Sequence, residues 1–518
     1  MLKQTLKRSF QSTSAVFTNA AKPANYGQPI ASTHGYLMSD TELTPGITTH
    51  EYEQRRKKLV NQLNPGDSVV CVSGQVKMMS QEIFYSFRQA TDFNYLTGFQ
   101  EPDSAVVIER DDSVPRGYKM VLFVRPKDPQ VELWDGARTG LDGAMKIFQA
   151  DEVSGCLEIP DVFLTPLQSK PTSSLASFLK NTLRAHKTVY ASHPNLPEKA
   201  RRRVSSFSSS TSHAKALVDY LSSAIRGQGT SEGDSVLSTL GLPNVKPLGP
   251  LVQRLRAKKS IAERTLMRNS GRIAGMAFRD AMGFARAGLT EHQVAARFEY
   301  KCAMAGSERQ AYVPVVASGA NGLAVHYTAN TMQIDENDMM LMDAGCELHG
   351  YNSDITRTWP VNGKFTQPQQ DLYQAVLNVE KECIKLCTEE KGVSLNYIHR
   401  ESVRLLGKEL KQIGFDQMRY GDLERILYPH YISHPLGMDL HDTPSFDRSQ
   451  KLEEGNVITI EPGCYVFPSD RFPKWFHNIG VRVEDDVLVG KHAPTVLTQE
   501  APKEVADIEQ VCEARVGL

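Results

Sequence analysis

The chain has 518 residues, too long for one ordinary hydrophobic core, so two or three domains are expected. Its 40% apolar and 23% charged content is that of a soluble globular protein, and 59 basic residues against 60 acidic ones leave a formal net charge of -1. No global field is available to draw in nucleic acid or an anionic membrane, and the apolar runs are strand-length, far below the ~20 residues of a membrane span.

Residues 1–39 differ from the rest. They hold Lys3, Lys7, Arg8 and Lys22 and no acid before Asp40, with Leu2, Leu6 and Phe10 spaced for one face of a short helix. That is the composition of a mitochondrial presequence, so a presequence and disordered N-terminus are expected there. The stretch HEYEQRRKKLVNQL reads as an amphipathic helix, with Tyr52, Leu59 and Leu63 near one face and charges between them. The valine-rich runs DSVVCVSG, SAVVIER and KMVLFVR read as strands and LDGAMKIFQ as a helix, which predicts an α/β domain over 40–200.

Composition shifts to Ser, Gly and Pro over 201–250, a linker or loop-rich insertion; the preceding KARRR (Lys199 to Arg203) reads as a solvated helix end rather than a nuclear address. A second domain is expected over 251–500, opening with a long helix at 260–285. Thr290 and Gln293 form a capping box for the next helix, EHQVAARFEYKCAMAG. Strand-like AYVPVVASG and MMLMDAG follow, then helices at 367–390 and 395–413, then strands and turns, an α+β layout. Residues 501–518 are expected to be a tail. Eight scattered cysteines make no CxxC pair or disulfide framework; Cys383 and Cys387, four apart, read as small apolar packing residues.

The chemistry sits in five places. Asp343 ends the strand MMLMDAG, and Asp354 follows across DAGCELHGYNSD, where Gly345 and Gly350 permit a hairpin or bulge that brings both carboxylates to one cavity. His434 lies in HYISHPLGMDLHD with His430 and His441. Glu461 leaves the strand VITI at a Pro-Gly turn, and strand alternation in GVRVEDD puts Arg482 and Glu484 on one face. Four carboxylates and one imidazole are a hard, oxygen-rich ligand set, suited to two divalent ions rather than one tetrahedral zinc. Two metals can activate a water and clamp a tetrahedral intermediate, which is hydrolase chemistry.

The contexts DxGxxxxGYxSDxTRT, SHxLGxDxHD, EPGxY and GVRVED, in that order, resemble the aminopeptidase P branch of the pita-bread metallopeptidases. FRQATDFNYLTGFQEPDS (87–104) and ELWDGARTG (132–140) are similar to that family's creatinase-like N-terminal domain. The resemblance spans roughly 48 to 500 and implies an α/β N-terminal creatinase-like domain before an α+β C-terminal pita-bread metallopeptidase domain. It implies that Asp343 chelates one metal, His434 and Glu461 bind the other, and Asp354 and Glu484 bridge. Glu461 would shuttle a proton to the leaving amine, and His326 (in HYTAN) and His441 would stabilise the tetrahedral intermediate. His430 and Tyr465 would line the site, Arg482 would orient the bridging carboxylates, and Arg138 would reach in from the N-terminal domain. Manganese is the implied metal, and N-termini of peptides or proteins the implied partners, with a homo-oligomer, no nucleic acid and no membrane span. With a presequence attached, the chain resembles the mitochondrial members. That resemblance implies removal of one N-terminal residue from imported mitochondrial proteins after presequence cleavage, with cleavage of peptides carrying proline in the second position as the alternative; prolidase, creatinase-like and non-enzymatic binding readings stand behind it, the last two disfavoured by the full ligand set.

Overall fold

The valine-rich runs of the first half lie side by side. The structure, a computed structural model, describes residues 26–155, 186–192 and 245–514. Six strands form one mixed sheet in the order Val245–Pro247, Thr188–Ser192, Asp67–Val72, Ala105–Arg110, Tyr118–Val124, Glu152–Gly155. Asp67–Val72, Ala105–Arg110 and Tyr118–Val124 run antiparallel in succession, and the outer strands add in parallel. Asp67–Val72 is buried along its whole length, so its residues 69–72 are apolar in succession and do not alternate with polar ones. Helix Thr49–Val60 starts at Thr48, whose hydroxyl accepts the Glu51 N–H. It buries Tyr52, Leu59 and Val60, and also Arg55 and Arg56, read from sequence as intervening charges. Arg56 donates to the Tyr118 hydroxyl at 2.8 Å, and Arg55 to the Tyr351 hydroxyl at 3.1 Å, across the junction with the second half.

In the second half, strand Met339–Ala344 lies between Val315–Ser318 and Ile355–Pro360, antiparallel to both. Val457–Ile460 pairs with Asp485–Leu488, and Gly463–Val466 with Ile479–Arg482. Helices Ile261–Phe284, Glu291–Met304 and Gln367–Ile384 pack against these strands around a core containing Phe278, Phe298, Trp359 and Tyr373. Each such fully buried side chain contributes roughly 1.5–3 kcal/mol by leaving water. The Thr290–Gln293 capping box is present as expected.

Four expectations are corrected. Residues 1–25 lie outside the described set, but 26–39 are not disordered: the Gln28 side chain donates to Gly98 O at 3.0 Å and accepts the Gln100 N–H at 2.7 Å, and Met38 is buried. Of the expected linker over 201–250, residues 201–244 lie outside the described residues, as does KARRR. Its end is structural, because Val245–Pro247 is a sheet edge and helix Gly249–Arg256 follows. The helix expected over 367–390 stops at Ile384; Cys383 and Cys387 are buried beside that end, the Cys387 thiol donating to Cys383 O at 3.4 Å. The expected tail carries helix Val505–Glu513, whose Ile508, Val511 and Cys512 join the core because the run repeats apolar residues at helical spacing.

Candidate active site

Strand register places the first pair of acids. Asp343 faces Val315 on one side and Thr356 on the other, and the hairpin through Cys346–Leu348 and Tyr351–Asn352 returns Asp354 beside it. Gly350 turns the hairpin at φ +84°, and at Gly345 a Cβ would run into the Ser353 carbonyl oxygen. Tyr312 joins the two acids: its hydroxyl contacts Asp343 Oδ1 and lies 2.5 Å from Asp354 Oδ1. Burial, with Asp343 and Asp354 beside it, raises the Tyr312 phenol well above its ordinary value, so it stays a donor.

A second strand positions the next two. The loop bearing His434 lies along Val457–Ile460: Thr459 N donates to His434 O at 3.0 Å, His434 N donates to Thr459 Oγ1 at 3.1 Å, and Glu461 N donates to Ile432 O at 2.9 Å. His434 Nδ1 faces Pro435 O at 3.0 Å, which leaves Nε2 3.4 Å from Asp354 Oδ2 and 3.8 Å from Glu461 Oε1. An imidazole anchored through Nδ1 presents its Nε2 lone pair to an ion. Glu484 is stitched to the first hairpin: its N–H donates to Thr356 O at 3.0 Å, and Thr356 Oγ1 donates to its carboxylate at 2.6 Å. One ligand atom each from Asp354, His434 and Glu484 lies within 4.8 Å of the others.

The acids crowd one another. Burial, then repulsion from Asp354, Glu461 and Asp343, pushes Glu484 well above the usual carboxylate range. Burial and Asp354 push Glu461 up to about 7 against the attraction of His434 and Arg482. Burial also raises Asp343, although Arg482 Nη2 donates to its Oδ2 at 2.6 Å. One guanidinium does not balance four buried carboxylates, so this donor set fits hard divalent cations. Arg482 does not touch the expected bridging acids. It donates to Asp343, to the Tyr465 hydroxyl at 2.6 Å and to Thr356 Oγ1 at 3.0 Å, reaching Glu484 only through Thr356. The reason is that its strand ends at Arg482, two residues before Glu484 crosses to Thr356.

The other expected residues separate into two groups. The His441 ring lies 4.4 Å from that of His434 between centroids, tilted by 59°, and His430 Nε2 accepts from the Tyr465 hydroxyl at 2.9 Å while its Nδ1 faces Tyr431 O at 3.0 Å. Burial and Arg482 depress His430 to about 3, which keeps it neutral. His326 is exposed, three residues beyond the short helix Gly319–Leu323. Arg138 is not brought to the cluster. Its guanidinium pairs with Asp135 at 3.0 Å and its N–H donates to Glu132 at 2.9 Å, because the chain turns at Gly136 and Gly140 and folds back on helix Pro129–Asp135.

Two contributors escaped the sequence reading. Tyr312 is one; its strand-like run AYVPVV gave no sign that the ring would reach across to both acids. The other is the fully buried Glu291, which accepts from Ser318, Asn321, Tyr327 and the Met332 N–H, and so shapes the loop that carries His326. An acid in a first helical turn reads as a dipole partner, which hid that task.

The model of metallopeptidase family M24 matches residues 265–491, and that of the aminopeptidase P N-terminal domain matches residues 52–190. Intermediate cleaving peptidase 55 of Saccharomyces cerevisiae is 36% identical over 509 residues, 97% of this chain and 92% of that protein. Xaa-Pro aminopeptidase 3 of Homo sapiens is 36% identical over 503 residues, 94% of this chain and 90% of that protein. The crystal structure of Icp55 from Saccharomyces cerevisiae, lacking its N-terminal 58 residues, superposes with a TM-score of 0.76 at 34% identity, covering 92% of this chain and 100% of that one.

Proposed function

This chain belongs to metallopeptidase family M24, with an aminopeptidase P N-terminal domain ahead of its pita-bread domain, and from that premise we propose that it removes one residue from the N-termini of imported mitochondrial proteins after presequence cleavage. It is a metalloaminopeptidase that uses divalent metal. The observation that carries the reading is the convergence of Asp343, Asp354, His434, Glu461 and Glu484 beside a further histidine, His441. The basic, acid-free residues 1–39 support a mitochondrial address, in the matrix or at the inner-membrane periphery.

Asp343, Asp354, His434, Glu461 and Glu484 would hold two divalent ions, proposed to be Mn2+, which when bound would supply a water activated at neutral pH and a Lewis acid for the scissile carbonyl. The protein does the rest. Glu461, whose carboxylate faces His434 Nε2 at 3.8 Å, would carry a proton from the attacking water to the leaving amine. His441 and His326 donate hydrogen bonds to the oxygen that gains charge. Tyr312 and Arg482 hold Asp343 and Asp354 in place, and His430 with Tyr465 lines the side beyond the cleaved bond. The proposed organisation puts an N-terminal domain, with 26–39 packed on it, ahead of a catalytic domain that runs on through helix Val505–Glu513, in a homo-oligomer.

A second reading, cleavage only ahead of proline, is favoured by the similarity to human Xaa-Pro aminopeptidase 3. The peptides Tyr-Ala-Ser-Lys and Tyr-Pro-Ser-Lys, incubated with Mn2+ and the protein and followed by mass, separate the two. Tyrosine released from the first supports trimming of imported proteins; release from the second alone refutes it. An Asp354→Asn control excludes a contaminating peptidase.

A further inference from the structure

Between His434 and His441 the chain makes a tight excursion closed on itself, with Asp442 N donating to Pro435 O at 2.9 Å and Gly437 N to Asp439 O at 3.1 Å. What fixes this loop comes from outside it. Arg256, the last residue of helix Gly249–Arg256, directs Nη1 to Asp92 Oδ1 at 2.7 Å in the amino-terminal half. Its Nη2 goes to Asp439 Oδ2 at 2.6 Å and to Asp442 Oδ1, on the loop itself. Lys259 donates to the other Asp442 oxygen at 3.0 Å, and Arg88 to Met438 O at 2.5 Å. The Arg256, Lys259 and Asp442 side chains are all at most 4% exposed.

We propose that Arg256 is a positioning residue for the aminopeptidase reaction, its forked guanidinium tying Asp92 of the amino-terminal half to Asp439 and Asp442 and thereby setting His441 against the substrate. Three features carry this. The fork is shared between the two halves, and only a planar guanidinium spans carboxylates on both sides at once; an ammonium is a point charge that serves one side. Asp442 directly follows His441, and Thr443 after it holds φ +48°, a strained conformation for a β-branched residue that persists only where its surroundings fix it. The loop has His434, a ligand candidate, at one end and His441 at the other, so a shift at Asp439 or Asp442 moves the His441 ring while Thr459 still anchors His434. The inference rests on the aminopeptidase reading and deepens it: the amino-terminal half takes part in catalysis through the Asp92–Arg256 link, beside the contacts that Arg88 and Thr91 make to Met438 O and Asp439.

The test uses the full chain loaded with Mn2+ and steady-state release of the N-terminal residue. Arg256→Lys is expected to lower kcat about tenfold with KM and bound manganese unchanged, since a misplacement on the order of 1 Å costs up to about 10²-fold. In a His441→Gln background the same substitution is expected to cost less than about twofold, because the residue through which Arg256 acts is gone. Asp92→Asn, at the part-exposed rim, is the second variant should Arg256→Lys fold poorly, with a smaller loss of kcat and the same dependence on His441. An equal fold-loss in both backgrounds, a loss confined to KM or to bound metal, or no loss in either variant on an active enzyme overturns the proposal. A wild-type chain that releases no residue overturns the aminopeptidase reading and this inference with it.

Discussion

Two clusters of four acids stand in opposite conditions. At the seam between the halves, Asp92, Asp439, Asp442 and Glu347 meet four cations, Arg88, Arg256, Lys259 and Arg309. At the centre of the second half, Asp343, Asp354, Glu461 and Glu484 meet one guanidinium, that of Arg482, and the imidazole of His434. Burial pushes Asp442 up, but Arg256 and Lys259 outweigh it and hold the carboxyl below its usual range; Asp92, with Arg256 alone, is raised by burial. Burial and three neighbouring acids all push Glu484 the same way, far upward. The seam therefore balances its own charge, whereas the cage is left short of positive charge, which a bound cation or added protons would supply. An acid cluster becomes a binding site through its shortage of cations, not through its number of acids.

Breaking each cluster sharpens the contrast. Asp354→Asn in the cage is expected to lower kcat on the order of a thousandfold and to strip bound manganese, measured by residue release and elemental analysis. Asp442→Asn at the seam leaves Arg256 and Lys259 short of a buried partner and should lower unfolding stability by about 3–5 kcal/mol in urea titration. Tyr312→Phe removes the hydroxyl that spans Asp343 and Asp354 and is expected to weaken manganese binding or activity about 10- to 100-fold.

The smallest effect has the opposite sign. With metal removed by chelator, Glu484→Gln is expected to stabilise the fold by about 1 kcal/mol, because one repelling carboxylate is gone. Glu484 has a folded value far above its ordinary 4.5, so the folded chain binds its proton where the unfolded chain has lost it. Stripped wild type should therefore fall progressively below Glu484→Gln in stability as pH rises from about 4.5, and saturating Mn2+ should reverse the order. A chelated wild type that gains on the variant with rising pH would show the cage to be balanced like the seam.

Much of the cage was legible in the chain. Asp343, Asp354, His434, Glu461 and Glu484 each stand at a strand end or beside a Gly or Pro turn, and the structure brings them together. Helices such as Ile261–Phe284 and Glu291–Met304 were readable because periodicity and capping are local. The seam was not legible. Arg256 and Asp442 are 186 positions apart, and an isolated Arg or Asp reads as a solvated charge. The same blindness hid Arg55 and Arg56 inside a helix read as amphipathic; Arg138, placed in the cleft by the family resemblance alone, pairs with Asp135 beside it.

The sequence by itself determined the ligand types, their order and the elements that carry them, since strand alternation, caps and turns depend on a few neighbouring residues. Tertiary structure alone decided which charges are shared. Arg482 holds Asp343 and reaches Glu484 only through Thr356, and Tyr312 spans two acids 31 and 42 residues away. Arg256 likewise closes the two halves over the histidine loop. Charge pairing is set by distance in space and by desolvation, and both exist only once the chain has folded.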